Sequence, residues 1–451
     1  MDDLRELFEL TAAIAADFYE TLPERPVYPR ATVAELQAAL ASPLPEHGTP
    51  ARTVIAELAA AADPGIVAEA SGRYFGFVIG GAVPASIAAD WLTSTWDQNA
   101  GLYVCGPSAS IVEQVAGMWL VELLGLPRKA SFGFVTGAQM ATFTALAAAR
   151  HHVLARVGWD VERDGLQGAP KIRVVVGAKR HGTVDRALRM LGLGAPSDVV
   201  PADSEGRMLA DELRIGDEPT IVCAQAGEVN TGASDPFHAI AAARDAAPNA
   251  WVHVDGAFGL WAAATDTLRH HVDGAERADS WATDAHKWLN VPYDSGLVFT
   301  AHPDSHSAAF SQRAAYLVVD DEKREQLDWN PEHSRRARGF AVYAAIRSLG
   351  RAGIVELIER TCAHARTFAA RLEAMGAELL CSVELNQVLF RFPDDARTEA
   401  VLAGVQESGE AWMSGTVWDG RPAIRISVSN WQTSEEDVER ALAAFRALAP
   451  A

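Results

Sequence analysis

HVDGAFG (residues 253–259) and SWATDAHKWLNVPYDSG (residues 280–296) decide how this chain is read. Trp251–Val254 is a short apolar run that stops at Asp255, the pattern of a strand covered on both faces of a parallel sheet. Lys287 follows 32 residues later, between His286 and Trp288 in a polar, aromatic-flanked segment. A lone lysine is ordinarily a solvated surface residue, but this one stands in a His-Lys-Trp context with an acidic residue at a strand end upstream. A lysine amine condenses with an aldehyde cofactor, and a carboxylate pairs with a protonated pyridine nitrogen, which turns such a ring into an electron sink.

Upstream, FVTGAQMAT (134–142) stands between an apolar run and an alanine-rich helical stretch, Gly137–Val157. Thr136, Gly137 and Ala138 put small residues at a helix start, where free amides and the helix dipole suit a phosphate, although a plain helix cap reads the same way. No GxGxxG or Walker pattern is present, so nicotinamide or nucleoside triphosphate binding lacks its fingerprint. His181, in VVVGAKRHGTVDRALRMLG (174–192), falls between a strand and a helix, at the edge where parallel sheets place ligands. It reads either as a ring that stacks on a flat cofactor or as a helix cap.

The wider pattern is α/β. Ile172–Val176, Thr220–Cys223, Trp251–Val254 and Gly296–Phe299 read as strands, separated by helical stretches such as Ile111–Leu124. This alternation predicts a mostly parallel mixed sheet flanked by helices. Residues 1–62 carry helical stretches and proline-rich joints and read as an arm. Residues 63–334 read as the large domain, and 335–451 as a smaller C-terminal α+β domain containing Val383–Phe392 and Ala423–Val428.

A net charge of −20 over 451 residues argues against a nucleic-acid surface. The acidic start MDDLRELFEL is no signal peptide, and no apolar stretch has the length of a membrane span. The four cysteines form no CxxC pair, no metal-ligand set is read, and a cytoplasmic location is expected.

In chain order the pieces are a phosphate loop, a ring-stacking histidine, an aspartate and a lysine. With HVDGAFG and DAHKW, the chain resembles the pyridoxal-dependent decarboxylases of the glutamate and aromatic-amino-acid type (group II), within the aspartate-aminotransferase fold (fold type I). The resemblance runs from about Arg73 to Phe392. It implies pyridoxal 5′-phosphate as cofactor, a Schiff base on Lys287, and His286 beside the reacting centre. It further implies Asp255 on the pyridine nitrogen, Ala257 beneath the ring and His181 above it. Thr136, Gly137, Ala138 and Gln139 would hold the phosphate, with Asn230 and Thr231 of AGEVNTGASDP (226–236) lining the cofactor pocket. It also implies a homodimer with sites at the subunit interface and an amino-acid substrate, whose side chain would be sorted by Phe75, Phe77, Ala100, Leu102 and Trp329. Those residues favour an apolar or aromatic side chain, whereas Gln98 and Asn99 favour a polar or acidic one.

Three departures stand out. The family's catalytic loop usually offers a tyrosine as proton donor, but Leu317–His333 contains none, and Tyr316 sits only at its edge. The proton would then come from His333, His286, His181 or water, or oxygen would divert the reaction to an aldehyde. A carbon–carbon lyase, an aminotransferase or a catalytically silent relative are the further alternatives. Second, the phosphate loop TGAQ carries fewer hydroxyls than is common. Third, Asp284 stands three before Lys287, among the cofactor-binding positions, where an amide or hydroxyl is commoner, and an acid beside a phosphate is repulsive unless something mediates. Arg425, in RPAIRISVSN (421–430), reads as a substrate-carboxylate clamp or as a structural ion pair. Arg335, Arg336 and Arg338 read as surface or interface charges.

Overall fold

The apolar runs of the first 300 residues assemble into one sheet in the computed structural model, which describes residues 2–312 and 323–448. The arm comprises α1 (Asp2–Thr21), α2 (Val33–Leu40) and α3 (Ala51–Ala62). Next come β1 (Tyr74–Phe75), α4 (Pro84–Trp96), α5 (Pro107–Leu123), β2 (Ser131–Val135), α6 (Ala138–Ala155) and the short α7 (Val161–Asp164). The chain continues through β3 (Arg173–Gly177), α8 (Gly182–Met190), β4 (Asp198–Val200), β5 (Thr220–Gln225) and α9 (Phe237–Asp245). After β6 (Ala250–Asp255), β7 (Ser280–Asp284), β8 (Gly296–Thr300) and α10 (Pro303–Phe310), the long α11 (Gly339–Glu373) leads into the second lobe. That lobe adds β9 (Glu378–Leu379), β10 (Gln387–Arg391), α12 (Asp395–Ser408), β11 (Trp412–Trp418), β12 (Arg421–Ser427) and α13 (Glu435–Leu448).

The large sheet has seven strands in the order β2-β8-β7-β6-β5-β3-β4. The run from β7 to β4 is parallel, and β8 is antiparallel to both its neighbours. Every residue of β5 and β6 is buried, which is why their sequences lack a polar alternation. Helix α6 crosses this sheet on a face of Ala141, Ala145 and Ala148, all fully buried, and small side chains let the helix lie close to the strands. The architecture is therefore the α/β, mostly parallel mixed sheet that the alternation predicted.

The second sheet has five strands, β1-β11-β12-β10-β9. Its core is a cluster of buried rings and branched chains that includes Phe75, Phe368, Phe390, Phe445 and Ile424. Strand β1 pairs in parallel with β11, so residues just after the arm complete the edge of this second sheet. Strand β11 is not evident in the sequence, because WMSGTVW carries a glycine and a serine and has no clean period. Helix α11 is interrupted at Gly350, whose φ of 61° breaks the helical backbone. Among the described residues no helix is long and apolar enough to cross a membrane. Tyr316 and residues 317–322 of the catalytic-loop stretch lie outside the described residues.

The large lobe buries histidines as neutral rings. Burial holds His253 and His306 down to about 3 and His152 down to about 4. His253 is braced by Ser280 Oγ at 2.9 Å and Thr142 Oγ1 at 3.3 Å. A base whose folded value is depressed contributes stability that is complete above the unfolded value near 6.5 and lost as acid is added. Asp235, which burial pushes up to about 6, works in the opposite direction, so the histidine contribution is best read by difference. Between pH 7.5 and 5.5, His253→Gln is expected to lose about 1.4 kcal/mol less stability than the parent chain in urea titrations.

Candidate active site

The carboxyl ends of the parallel strands converge on one cavity of about 640 Å³ between the two lobes. Its walls include Thr136, Gly137, Ala138 and Gln139 after β2, His181 after β3, Asn230 after β5, Asp255 and Ala257 after β6, and Asp284, His286 and Lys287 after β7. Ligands of open α/β sheets sit at this edge because the strand ends and helix starts leave backbone groups and side chains free there.

Asp284, the last residue of β7, is the hub. Its Oδ1 accepts the Ala138 N–H at 2.6 Å and lies 3.4 Å from His286 Nε2, while its Oδ2 lies 3.1 Å from Lys287 Nζ. The carboxylate thus caps the start of α6 and holds the lysine ammonium. Two close approaches fix this arrangement. A Cβ on Gly296 would stand 2.3 Å from the Gly137 Cα, and one on Gly80 would stand 1.8 Å from the Lys287 carbonyl oxygen. No other residue fits at either place without moving backbone.

Asp255 is buried, and one of its oxygens accepts the Ala257 N–H at 3.2 Å. Burial raises its pKa, opposed by His181 and Lys287. A carboxylate in that condition is stabilised by a cation donated from the cavity side.

The two site histidines have their tautomers set by backbone. The Thr183 N–H donates to His181 Nδ1 at 3.3 Å, with Thr183 Oγ1 2.8 Å away. The Ser295 N–H donates to His286 Nδ1 at 3.1 Å. A backbone N–H can only donate, so each neutral ring carries its proton on Nε2. His181 is the N-cap of α8, as one reading expected, and it also lines the cavity. Burial lowers the pKa of His286, opposed by Asp284.

The remaining positions divide. Asn230 lines the cavity, held by Glu228 Oε1 at 2.9 Å and by Thr416 Oγ1 at 3.0 Å. Thr231 does not line it. That side chain is buried, its hydroxyl donating to the Glu205 carbonyl at 2.7 Å while its N–H donates to Glu228 at 2.8 Å, so it shapes the loop from behind. Phe77 lines the cavity at its exposed mouth, with φ 51° and its ring 5.1 Å from Trp412. Phe75 points the other way, into the second-lobe core against Phe368. Only Tyr74 and Phe75 belong to β1, and the positive φ of Phe77 and Val78 turns the chain after the strand, so Phe77 does not share the side of Phe75. Ala100 and Leu102 are buried, and Trp329 packs edge-on to His306 at 5.3 Å, so within one chain none of these three lines the cavity.

Arg425 lines the cavity, buried, with Nη1 donating to the Val229 carbonyl at 2.9 Å and with no hydrogen-bond partner on Nε. Burial lowers its pKa, opposed by Glu228. Arg335 corrects the surface expectation: it is buried, bonded to Glu113 Oε2 at 2.8 Å and to the carbonyls of Ala100 and Phe134. Arg336 and Arg338 pair with Asp90 and Asp294. The sequence reading missed Gln225, Val229, Thr183 and Thr416 on the cavity wall. Gln225 alone had a signal, as the carboxyl-terminal end of an apolar run.

Residues 34–393 match the family described as "Pyridoxal-dependent decarboxylase conserved domain". The chain is 27% identical to tryptophan decarboxylase 1 of Oryza sativa subsp. japonica, over 98% of this chain and 92% of that one. It is 25% identical to 4-hydroxyphenylacetaldehyde synthase of Rhodiola rosea, over 97% and 94%. The crystal structure of Oryza sativa TDC with PLP and tryptamine superposes with a TM-score of 0.91 at 24% identity, covering 100% of this chain and 98% of that one. On the family match and the convergence of these side chains, the chain belongs to the pyridoxal-dependent decarboxylase family and is a pyridoxal 5′-phosphate-dependent amino-acid carboxy-lyase.

Proposed function

We propose that the chain decarboxylates an L-amino acid with an apolar or aromatic side chain to the corresponding amine, in a site completed by a second copy of the chain. The observation that carries the reading is the placement of Lys287, Asp255, His181 and the start of α6 around one cavity. The donor set fits the cofactor: an amine for its aldehyde, a buried carboxylate with a raised pKa for its ring nitrogen, and first-turn amides for its phosphate. We assign Lys287 to the aldehyde carbon and Asp255 to the ring nitrogen. Thr136, Gly137, Ala138 and Gln139 are assigned to the phosphate, and His181 and Ala257 to the ring faces. When bound, pyridoxal 5′-phosphate supplies an electron-accepting ring for the pair left behind as carbon dioxide departs.

The protein's own part is orientation and proton management. Arg425 offers the substrate carboxylate a guanidinium that is anchored through Nη1 while Nε stays unpaired. His181 and His286 each hold a proton on Nε2, and we assign His181, on the cavity wall, to return a proton to the substrate's α-carbon. Phe77 and its neighbour Trp412 form the apolar mouth that sorts side chains.

A second copy is supported by surface that one chain leaves uncovered. Helices α2 and α3 contain no buried residue, and Leu4, Phe8, Val54 and Leu58 of the arm are exposed. Trp91, Trp96, Val104 and Ile111 are exposed as well, beside the buried Ala100 and Leu102, which the dimer would bring toward the partner's cavity. The four free thiols support a cytoplasmic location.

A second reading draws on the absence of tyrosine from Leu317–His333. With no phenol to reprotonate carbon, one amino acid, one oxygen and one water would give the aldehyde, carbon dioxide, ammonia and hydrogen peroxide. Incubation with aromatic and aliphatic amino acids, following carbon dioxide, oxygen and primary amine together, separates the readings. Amine equal to carbon dioxide with no oxygen uptake is expected, and Lys287→Ala should abolish turnover and the visible imine band. Stoichiometric oxygen consumption with ammonia release would transfer the assignment to the aldehyde route.

Arg425→Gln is expected to raise KM about 10- to 100-fold with a smaller change in kcat, since a hydrogen bond to a charged group contributes about 1.5–3 kcal/mol. Sedimentation equilibrium should return twice the chain mass, and a purely single-chain enzyme at full activity would remove the shared-site reading.

A further inference from the structure

The start of α6 has two claimants. The phosphate is assigned there, yet the chain already directs a carboxylate at it: Asp284 Oδ1 takes the Ala138 N–H at 2.6 Å. That carboxylate is 3% exposed and belongs to the last residue of a fully buried strand. Its other oxygen lies 3.1 Å from Lys287 Nζ, so it also claims the amine that must react with the aldehyde. Neither partner can retreat easily. The Asp284 N–H donates to the Ala257 carbonyl at 2.9 Å, and its carbonyl accepts Trp261 Nε1 at 3.1 Å. On the opposite side, the Gly137 turn is pressed against Gly296.

We propose that Asp284 is a built-in competitor of the cofactor phosphate, a specificity-determining residue that sets how strongly the phosphate group contributes to cofactor capture. Like charges repel across a buried, low-dielectric contact, so the phosphate must share the helix start with a fixed carboxylate. The first-turn amides of Gln139 and Met140 have no carbonyl acceptor within the helix and remain available to it. Lys287 partly offsets the crowding while it is an ammonium, and that offset changes when its nitrogen enters the cofactor linkage. An uncharged isostere at position 284 keeps the acceptor for Ala138 and removes the repulsion. The inference rests on the assignment of the phosphate to α6.

The test uses the full-length chain freed of cofactor, with the dissociation constants of pyridoxal 5′-phosphate, pyridoxal and inorganic phosphate measured by calorimetry at pH 8. Asp284→Asn should tighten inorganic phosphate at least about ten-fold. It should also raise the preference for pyridoxal 5′-phosphate over pyridoxal by a similar factor, a ratio that cancels any change in Lys287 reactivity. Asp284→Ser opens the same position and should move both readings in the same direction, which keeps the test valid should the asparagine variant fold poorly. If inorganic phosphate competes with pyridoxal 5′-phosphate but neither variant changes the affinity or the ratio by more than two-fold, or both weaken them, the competitor role is overturned. If phosphate neither binds nor competes in any variant, and pyridoxal binds as tightly as its phosphate ester, the phosphate assignment itself fails.

Discussion

A single buried carboxylate joins two walls of the cavity. Asp284 ends β7, and its side chain reaches across to the first amide of α6 and to the ammonium of Lys287. Strand β7 is buried throughout and paired on both sides, so the carboxylate cannot move without disturbing the sheet. Ala138, His286 and Lys287 are all placed by contact with that carboxylate. The glycines at 137 and 296 bring the α6 turn within reach, and Gly80 allows the following loop to press on the Lys287 carbonyl. Each of these contacts has a steric reason that a larger residue would cancel.

The second lobe closes the cavity with a different chemistry. Strands β11 and β12 bring Gly415, Thr416 and Arg425 to its wall, and the loop after β5 is tied to them through Asn230 and Val229. Glu228 organises that loop by accepting from the backbone of Asn230 and Thr231, and burial raises its pKa, so the loop is held from behind. Phe77 and Val78 both adopt positive φ, 51° and 62°. A left-handed conformation costs an ordinary residue about 1–2 kcal/mol, and a β-branched valine tolerates it poorly. The turn is offset by the burial of Val78 in the main core and by the Phe77 N–H donating to Ser414 Oγ at 3.2 Å. Strain of this kind, at a cavity mouth, is where side-chain selection is expected.

Legibility in the sequence followed how local the signal was. The parallel strands were legible because burial on both faces leaves a continuous apolar run, as in Thr220–Gln225 and Trp251–Asp255. Their carboxyl ends located Asp255 and His181 without any knowledge of packing. Strand β11 was opaque because WMSGTVW carries a glycine and a serine and has no clean period, although it forms a hairpin with β12 directly after it. Phe75 and Phe77 carried equal weight as substrate contacts until strand pairing sent Phe75 to the core and the positive-φ turn after β1 brought Phe77 to the cavity. Arg335 looked like a surface charge because nothing nearby in sequence announces Glu113, its buried partner more than two hundred residues upstream.

By itself, then, the sequence determined the α/β class and the order along the chain of the residues that meet at the cavity, Lys287 among them. Those depend on local periodicity and on residue types whose chemistry is intrinsic. Only the tertiary structure decided which nitrogen of His181 and His286 holds the proton, because the Thr183 and Ser295 amides reach the rings through folded turns. It alone decided that Arg425 faces the cavity and that Asp284 reaches both the first amide of α6 and Lys287. The electrostatic balance at the site is a sum over groups brought together from distant segments. Such a sum has no signature in any one stretch of chain.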